Sequence, residues 1–215
     1  MAVDIEAEKD RVRALPCWQG TIGIEPLSGG LSNLNFVVTD AGKRFVVRMV
    51  GDDEPIHNVM RFNETAGLKA AHAVGLTPGI VYYDQGIMVI DYLDGKTYEA
   101  EDVCDIDKLM RIIPEVRILH EQAKHHIVGP CLAFWVFRVH RSYAHALREG
   151  NSRMVPQLDH YMTINDELEA AVGAVDVTFC HNDLLCANFI DTGDKVWIID
   201  WEHSGYGARL FDLAN

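Results

Sequence analysis

The sequence of 215 residues predicts an α+β protein with two lobes, a small antiparallel sheet followed by a helical part. In the first part of the chain, short apolar segments alternate with polar residues or are rich in β-branched residues, and turn residues separate them. From about Tyr98 onward, apolar residues recur at helical spacing instead. We therefore expect a β-rich lobe at residues 1–91, a hinge at residues 92–97 and a helical lobe at residues 98–215.

The predicted amino-terminal lobe has five strands and two helices. Strand patterns cover residues 21–27, 34–39, 44–50, 80–83 and 87–91. Helical patterns cover residues 4–15 and 58–74, and they stop at Pro16 and Gly75. The second helix has an apolar stripe made of Val59, Phe62, Ala66, Ala70 and Ala73. Residues 40–43 read Asp-Ala-Gly-Lys, which predicts a hairpin turn between the second and third strands.

The predicted carboxy-terminal lobe is mainly helical. Amphipathic helix patterns cover residues 107–122, 135–148 and 156–172. A short strand at residues 177–180 follows, and a hairpin then joins residues 189–190 to residues 196–199. Ligand sites favour clefts between lobes, so we expect the functional site where the two lobes meet.

The composition excludes some classes of function. The formal net charge of −13 disfavours nucleic-acid binding, because an acidic chain repels phosphate backbones, and it suits a small cationic substrate. There is no apolar stretch of membrane-spanning length and no apolar signal core near the amino terminus, so we expect a cytoplasmic protein without membrane contact. Five cysteines without paired zinc spacing indicate reduced thiols. The oligomeric state stays open.

One polar loop carries a pattern typical of phosphoryl transfer. The segment His181-Asn182-Asp183-Leu184-Leu185-Cys186-Ala187-Asn188 lies between two apolar strands. Phosphoryl transfer needs a carboxylate that accepts the proton of the attacking hydroxyl, and Asp183 would supply it. An Asn amide oxygen such as that of Asn188 is a ligand for Mg²⁺, and His181 would brace the loop. The alternative is an ordinary loop whose polar groups cap backbone amides.

A second acidic position, Asp200, ends an almost wholly apolar strand. A carboxylate at such a place is costly unless a cation or hydrogen bonds compensate it. Mg²⁺ carried by a nucleotide is such a cation, so Asp200 is the second candidate metal ligand. Its alternative role is to cap the turn that follows. Taken together with the preceding loop, the metal site is the stronger hypothesis.

The amino-terminal lobe supplies candidate phosphate contacts. The loop Ser28-Gly29-Gly30-Leu31-Ser32-Asn33 lies between two strands, and small residues there let backbone amides approach phosphates, although a plain hairpin has the same pattern. Arg48 stands in an apolar strand and needs a partner, for which Glu64 on the following helix is the natural candidate. The pair is either structural or part of a phosphate site.

The ordered set of these residues resembles the choline/ethanolamine kinase family, within the aminoglycoside-phosphotransferase-like small-molecule kinases. The resemblance extends from about Ile22 to the end of the chain and implies a bilobal, protein-kinase-like fold. The loop at residues 28–33, and Arg48 where related kinases have a lysine, resemble choline kinases more than antibiotic kinases. The segment that begins at Phe211 also resembles this family, whereas His203 stands where the family usually has an aromatic residue.

The resemblance implies a binding mode for ATP between the lobes. Adenine would lie against the hinge backbone near Ile90 and Tyr92. The phosphates would be covered by a loop that consists of Gly29, Gly30, Leu31, Ser32 and Asn33. Arg48, held by Glu64, would steady these phosphates.

The same resemblance implies the roles of the carboxylates and amides in the second lobe. Asn188 and Asp200 would hold Mg²⁺, and Asp183 would be the catalytic base for the hydroxyl of an amino alcohol. His181 would support this loop, and Glu202 would assist either the metal or the positive charge of the substrate.

We therefore expect an ATP-dependent kinase that phosphorylates choline, ethanolamine or a related amino alcohol. One alternative is an aminoglycoside-type or other small-molecule phosphotransferase of the same fold. Another is a non-catalytic nucleotide-binding remnant, because family members continue into helices that carry aromatic residues of the amine pocket, whereas this sequence ends at Asn215. From the resemblance we therefore expect that the C-terminal helices of the family are missing here, either because the sequence is a fragment or because the substrate site is depleted.

Overall fold

A five-stranded antiparallel sheet forms the amino-terminal lobe in the computed structural model, which describes residues 5–27, 33–50, 61–84 and 86–214. The strands are β1 (Gly23–Leu27), β2 (Asn33–Asp40), β3 (Lys43–Val50), β4 (Ile80–Asp84) and β5 (Ile87–Asp91), in the order β1-β2-β3-β5-β4. Helices α1 (Ile5–Arg13) and α2 (Arg61–Ala73) belong to the same lobe. Each predicted strand and helix of this lobe is confirmed where the chain is described.

The hairpin between β2 and β3 explains the register of the sheet. Ala41 and Gly42 have φ angles of 48° and 79°, the left-handed pair that a two-residue hairpin turn requires. With this turn, alternate side chains of the strands face the same side of the sheet. Together with Val12 of α1, these side chains form a buried cluster whose strand members are Phe36, Val38, Val47, Met49, Ile87 and Val89.

The carboxy-terminal lobe contains five helices and two small sheets in the described part of the chain. The helices are α3 (Ala100–Val103), α4 (Ile106–Gln122), α5 (Val136–Glu149), α6 (Val155–Val172) and α7 (Arg209–Ala214). One sheet has the order β6 (Lys96–Thr97), β8 (Phe189–Asp191) and β9 (Val196–Ile198). The other pairs β7 (Val177–Cys180) with β10 (Gly205–Ala208). The three predicted long helices and the predicted strand and hairpin are confirmed.

Four short elements were not expected from the sequence: β6, α3, β10 and α7. The two-residue strand β6 lies inside the segment predicted as a hinge and pairs with β8 of the second lobe. Strand β10 contains two glycines and is defined by its pairing with β7. Such elements have little intrinsic preference, and their partners in the sheets determine them.

A second apolar cluster joins the two lobes. Leu76 and Met88 from the first lobe pack in the same cluster as Leu119 and Trp201 from the second. A backbone hydrogen bond of 2.9 Å from the N–H of Ile198 to the carbonyl of Leu76 reinforces this contact. The hinge is therefore not the only connection between the lobes. Among the residues described, no helix combines the length and the apolar character needed to cross a membrane.

Helix α2 buries only part of the predicted apolar stripe. Ala70 of that stripe is fully buried, but Phe62 is 51% exposed, and Asn63 and Glu64 are buried instead. The expectation is therefore wrong for Phe62, because the buried face includes two polar residues with partners outside the helix. Helical spacing of apolar residues alone does not reveal such a face.

Gly67 on α2 tests how closely the helix packs on the second lobe. A Cβ atom at this position would lie 2.1 Å from the Oγ of Ser204, and that hydroxyl is held by a 2.7 Å hydrogen bond to the Trp201 carbonyl. We expect Gly67→Ala to lower the free energy of unfolding by about 1–3 kcal/mol in denaturant titrations. In a Ser204→Ala background the loss should shrink, because the clashing oxygen is gone. An equal loss in both backgrounds would contradict this packing.

Candidate active site

Arg48 of β3 lies at the boundary between the two lobes and contacts three carboxylates. Its Nη1 donates to Glu64 Oε1 at 2.9 Å and to Asp200 Oδ1 at 2.8 Å, and its Nη2 donates to Glu202 Oε2. The predicted pair between Arg48 and Glu64 is therefore present. Asp200 and Glu202, which follow β9, extend this pair across the cleft.

Acidic side chains outnumber the guanidinium among the described residues of this cluster. Burial by itself lowers the pKa of the Arg48 guanidinium, yet the charges of Asp200, Glu64 and Glu202 outweigh it and raise that pKa above its ordinary value. These three carboxylates and the one guanidinium together carry two more negative than positive charges. The Asp200 side chain is 36% exposed and is thus the most accessible of the three carboxylates. A divalent ion at Asp200 would reduce their repulsion.

The loop between β7 and β8 carries the other predicted residues. Asn188 Nδ2 donates to the Asp183 backbone carbonyl at 2.8 Å and lies 3.3 Å from Asp183 Oδ2. This contact orients the half-buried Asp183 carboxylate. Because the amide nitrogen of Asn188 is used within the loop, its amide oxygen is the atom that Asn188 can offer to a cation.

His181 is fully buried beneath this loop, and its hydrogen bonds determine its protonation. Its Nδ1 accepts the backbone N–H of Asp183 at 3.2 Å, and its Nε2 lies 2.9 Å from the Ile199 carbonyl. A ring that accepts at Nδ1 must carry its proton on Nε2, where it donates to Ile199. Burial lowers the pKa of the His181 ring, which agrees with this neutral form. His181 thus connects the Asp183 loop to Ile199, the residue between β9 and Asp200.

Two residues of the site have left-handed backbone conformations. Asn182 has φ of 65° and Asp200 has φ of 66°. Asn and Asp adopt this conformation more readily than other residues with a side chain, because their short polar groups can hydrogen-bond locally. The Asn182 side chain donates locally to the Cys180 carbonyl at 3.5 Å and, across the site, to the His203 carbonyl at 3.0 Å. The loop and the turn after β9 are therefore held against each other.

Asp212 on α7 is a site residue that sequence reasoning missed. Its carboxylate accepts the backbone N–H groups of His181 at 2.9 Å and of Asn182 at 2.6 Å. The same buried carboxylate lies 2.8 Å from the His120 ring. It fixes the backbone on which Asp183 stands. The signal in the sequence was an acidic residue within an apolar segment, since a buried carboxylate requires donors.

Cys180 adds a potential metal ligand to this buried group. Ligand atoms of His120, Cys180 and Asp212 all lie within 4.8 Å of one another. Burial and the nearby Asp212 charge raise the pKa of the Cys180 thiol, so it stays protonated and is a poor ligand. The hydrogen bonds to Asp212 account for the arrangement without a cation.

The predicted adenine site lies at the end of β5. Ile90 pairs with Val46 of β3, and the Tyr92 N–H donates to the Arg44 carbonyl at 3.1 Å. The Arg44 guanidinium also lies 4.1 Å from the centroid of the Tyr92 ring and 2.8 Å from Asp94. Backbone pairing and this cation–π contact therefore determine where the connection between the lobes begins.

The predicted phosphate loop is outside the described residues, except for its last member. Gly29, Gly30, Leu31 and Ser32 are not described, and Asn33 is the first residue of β2, opposite Val50.

A small cavity lies next to Glu202. Residues of both lobes line it, and its volume of about 30 Å³ is large enough for about one water molecule. Its lining includes Phe134, Tyr143 and His203.

Comparisons with known proteins agree with this geometry. Residues 24–215 match the family model described as Choline/ethanolamine kinase. Ethanolamine kinase 2 of Mus musculus is 27% identical over 188 residues, which cover 84% of this chain and 48% of the mouse protein. The chain thus spans about half the length of the curated relatives with that name.

Solved structures show the same fold. A choline/ethanolamine kinase family protein from Mesorhizobium loti has a TM-score of 0.74 and 28% identity, over 97% of this chain and 68% of that chain. The choline kinase LicA from Streptococcus pneumoniae has a TM-score of 0.75 and 22% identity, over 97% of this chain and 72% of that chain. The predicted kinase-like fold is confirmed, and the chain belongs to the choline/ethanolamine kinase family.

Proposed function

We propose that this site transfers the γ-phosphoryl group of ATP to the hydroxyl of choline, ethanolamine or a related amino alcohol. The observation that carries the proposal is the convergence of Arg48 from the sheet with Asp200 from the second lobe, beside the loop of Asp183 and Asn188. Phosphoryl transfer relies on positioned charges of this kind. Family membership supports the amino alcohol as the acceptor, and the net charge of −13 suits a cationic substrate.

The nucleotide would lie in the cleft between the lobes. Its adenine would contact the backbone near Ile90 and Tyr92. The loop that covers its phosphates would consist of Gly29, Gly30, Leu31, Ser32 and Asn33. Arg48 supports this assignment, because Glu64 holds its guanidinium beside Asp200, where phosphate oxygens and their metal ion would meet.

Asn188 and Asp200 would hold Mg²⁺, which when bound neutralises charge on the phosphate oxygens. The fit rests on the Asn188 amide, whose nitrogen is used within the loop so that its oxygen can face a cation, and on the partly exposed Asp200 carboxylate, which shares one guanidinium with two other carboxylates. Asp183 would take the proton from the hydroxyl group of the amino alcohol. The oxygen of that hydroxyl group would at the same time form a bond to the γ-phosphorus. The bond from that phosphorus to the bridging oxygen of ADP breaks, and ADP leaves. His181 supports Asp183 through its hydrogen bond and takes no proton itself.

The first prediction concerns Asp183. We expect Asp183→Ala to lower kcat by about 10²- to 10⁴-fold with the preferred acceptor, because the base is lost, while ATP–Mg²⁺ still binds. Phosphate transfer would be measured across choline, ethanolamine and aminoglycosides, and nucleotide binding by calorimetry. Asp194→Ala, on the exposed hairpin, is the control. Unchanged turnover in Asp183→Ala contradicts the mechanism, and ATP binding without transfer in the wild type favours a non-catalytic nucleotide-binding module.

The second prediction separates two roles of Glu202. Since Glu202 contacts Arg48, we expect Glu202→Gln to raise the KM for ATP by about tenfold, the effect of losing one charge-assisted hydrogen bond. The KM for the amino alcohol should stay the same. A rise in the acceptor KM alone would instead assign Glu202 to the positive charge of the substrate. Glu115→Gln removes a comparably buried carboxylate that faces Lys195, and it serves as the control.

The third prediction concerns the protonation of His181. Because burial lowers its pKa in the folded state, the ring should still be neutral, with its proton on Nε2, at a pH where an exposed histidine is already protonated, and nitrogen chemical shifts of the labelled ring would reveal this. The unfolded chain takes up this proton below about pH 6.5. The contribution of His181 to stability is therefore complete above that pH and is lost as the pH falls. A doubly protonated ring at pH 6 in the folded protein would refute this assignment.

A further inference from the structure

We propose that Asn63 is a positioning residue, which docks helix α2 onto the second lobe and thereby keeps Glu64 against Arg48. The inference rests on the proposed function, because it concerns the ATP contacts of Arg48. It starts from the buried polar face of α2. Asn63 immediately precedes Glu64 and is only 4% exposed, and its side chain forms hydrogen bonds to Ser204 and Leu132 of the second lobe.

Both ends of the Asn63 amide are used by the second lobe. Its Nδ2 donates to the Ser204 carbonyl at 2.6 Å, and its Oδ1 accepts the Leu132 N–H at 2.8 Å. The Leu132 carbonyl in turn accepts the Tyr206 N–H at 2.9 Å. One side chain of α2 is thus bonded to two backbone segments that are already paired with each other.

The Ser204 segment is the same turn that carries the carboxylates of the site. Asp200 and Glu202 precede Ser204, and the Ser204 N–H donates to the Trp201 carbonyl at 3.1 Å, which closes the turn. Asn63 therefore connects α2 directly to the turn whose carboxylates contact Arg48. Asn63, which binds the turn, and Glu64, which binds Arg48, are neighbours on the same helix.

The chemistry of this contact requires an amide. Asn presents one acceptor and one donor group at the required separation, whereas Asp keeps the shape but has no donor for the Ser204 carbonyl. A carboxylate there would also repel that carbonyl and nearby Glu202. Without the contact, α2 can shift relative to the turn. Displacements on the order of 1 Å are enough to impair a reaction that depends on positioned charges.

The experiment compares two identical substitutions at two buried asparagines. Asn63→Asp should lower kcat/KM for ATP by about 10- to 100-fold and weaken ATP–Mg²⁺ binding. The matched control is Asn165→Asp. Asn165 is also 4% exposed, and its amide contacts His140 at 2.9 Å and the Phe137 carbonyl at 3.4 Å, within the helices α5 and α6. We expect this control to lower stability but to change kcat/KM by no more than about threefold.

A double-mutant cycle decides whether Asn63 acts through Glu64. In a Glu64→Gln background, where the ion pair to Arg48 is already weakened, Asn63→Asp should cost less than about threefold in kcat/KM for ATP. Full additivity of the two losses would overturn the proposal, because Asn63 would then act independently of Glu64. Equal kinetic losses in Asn63→Asp and Asn165→Asp would overturn it as well, since a general loss of stability would explain both.

A measurement that needs no phosphate transfer separates this inference from the proposed function. Hydrogen exchange of the α2 backbone amides in the nucleotide-free chain should be faster in Asn63→Asp than in the wild type or in Asn165→Asp. If the wild type transfers no phosphate, the proposed function fails, and the exchange and ATP-binding measurements still test Asn63. Unchanged exchange in α2 would refute the docking role whatever the activity.

Discussion

The buried guanidinium of Arg48 is the constraint to which both lobes conform. A buried charge without partners is strongly destabilising, so carboxylates have to stand around it. One of them, Glu64, comes from α2, and the other two, Asp200 and Glu202, come from the turn after β9. The sheet, the helix and the second lobe must therefore approach at one place and in one orientation. In the proposed mechanism, a metal ion at Asp200 would reduce the repulsion among these carboxylates.

Two buried side chains, Asn63 and Asp212, hold the backbone segments that carry the charged residues of the site. Asp212 binds the amides of His181 and Asn182, and it thereby sets the loop that presents Asp183. Asn63 does the equivalent for α2 by binding the Ser204 turn. Neither anchor touches the reacting atoms in the proposed mechanism. Their effect is to remove freedom from the chain, so that the reactive groups lose little entropy when substrates bind.

The sequence was most informative for charged residues in apolar segments, because a buried charge requires a partner. Arg48 in an apolar strand demanded a partner, and the pair with Glu64 forms as expected. The motif with Asp183 and Asn188 likewise forms one hydrogen-bonded loop. The contact between Glu202 and Arg48 was not anticipated, because the two residues lie far apart along the chain and either a metal or a substrate role suited the isolated pattern. The catalytic and metal-binding roles themselves remain predictions.

Local periodicity and short motifs were enough to predict the succession of strands and long helices along the chain and the family, and they name the candidate reactive residues. The burial of Asn63 and Glu64 on α2, the positions of β10 and α7, and the backbone groups that Asn63 and Asp212 bind became visible only in the folded protein. Those features depend on hydrogen bonds between residues distant in sequence, whose energies exist only after the lobes have packed together. A single sequence contains no periodic trace of such partners.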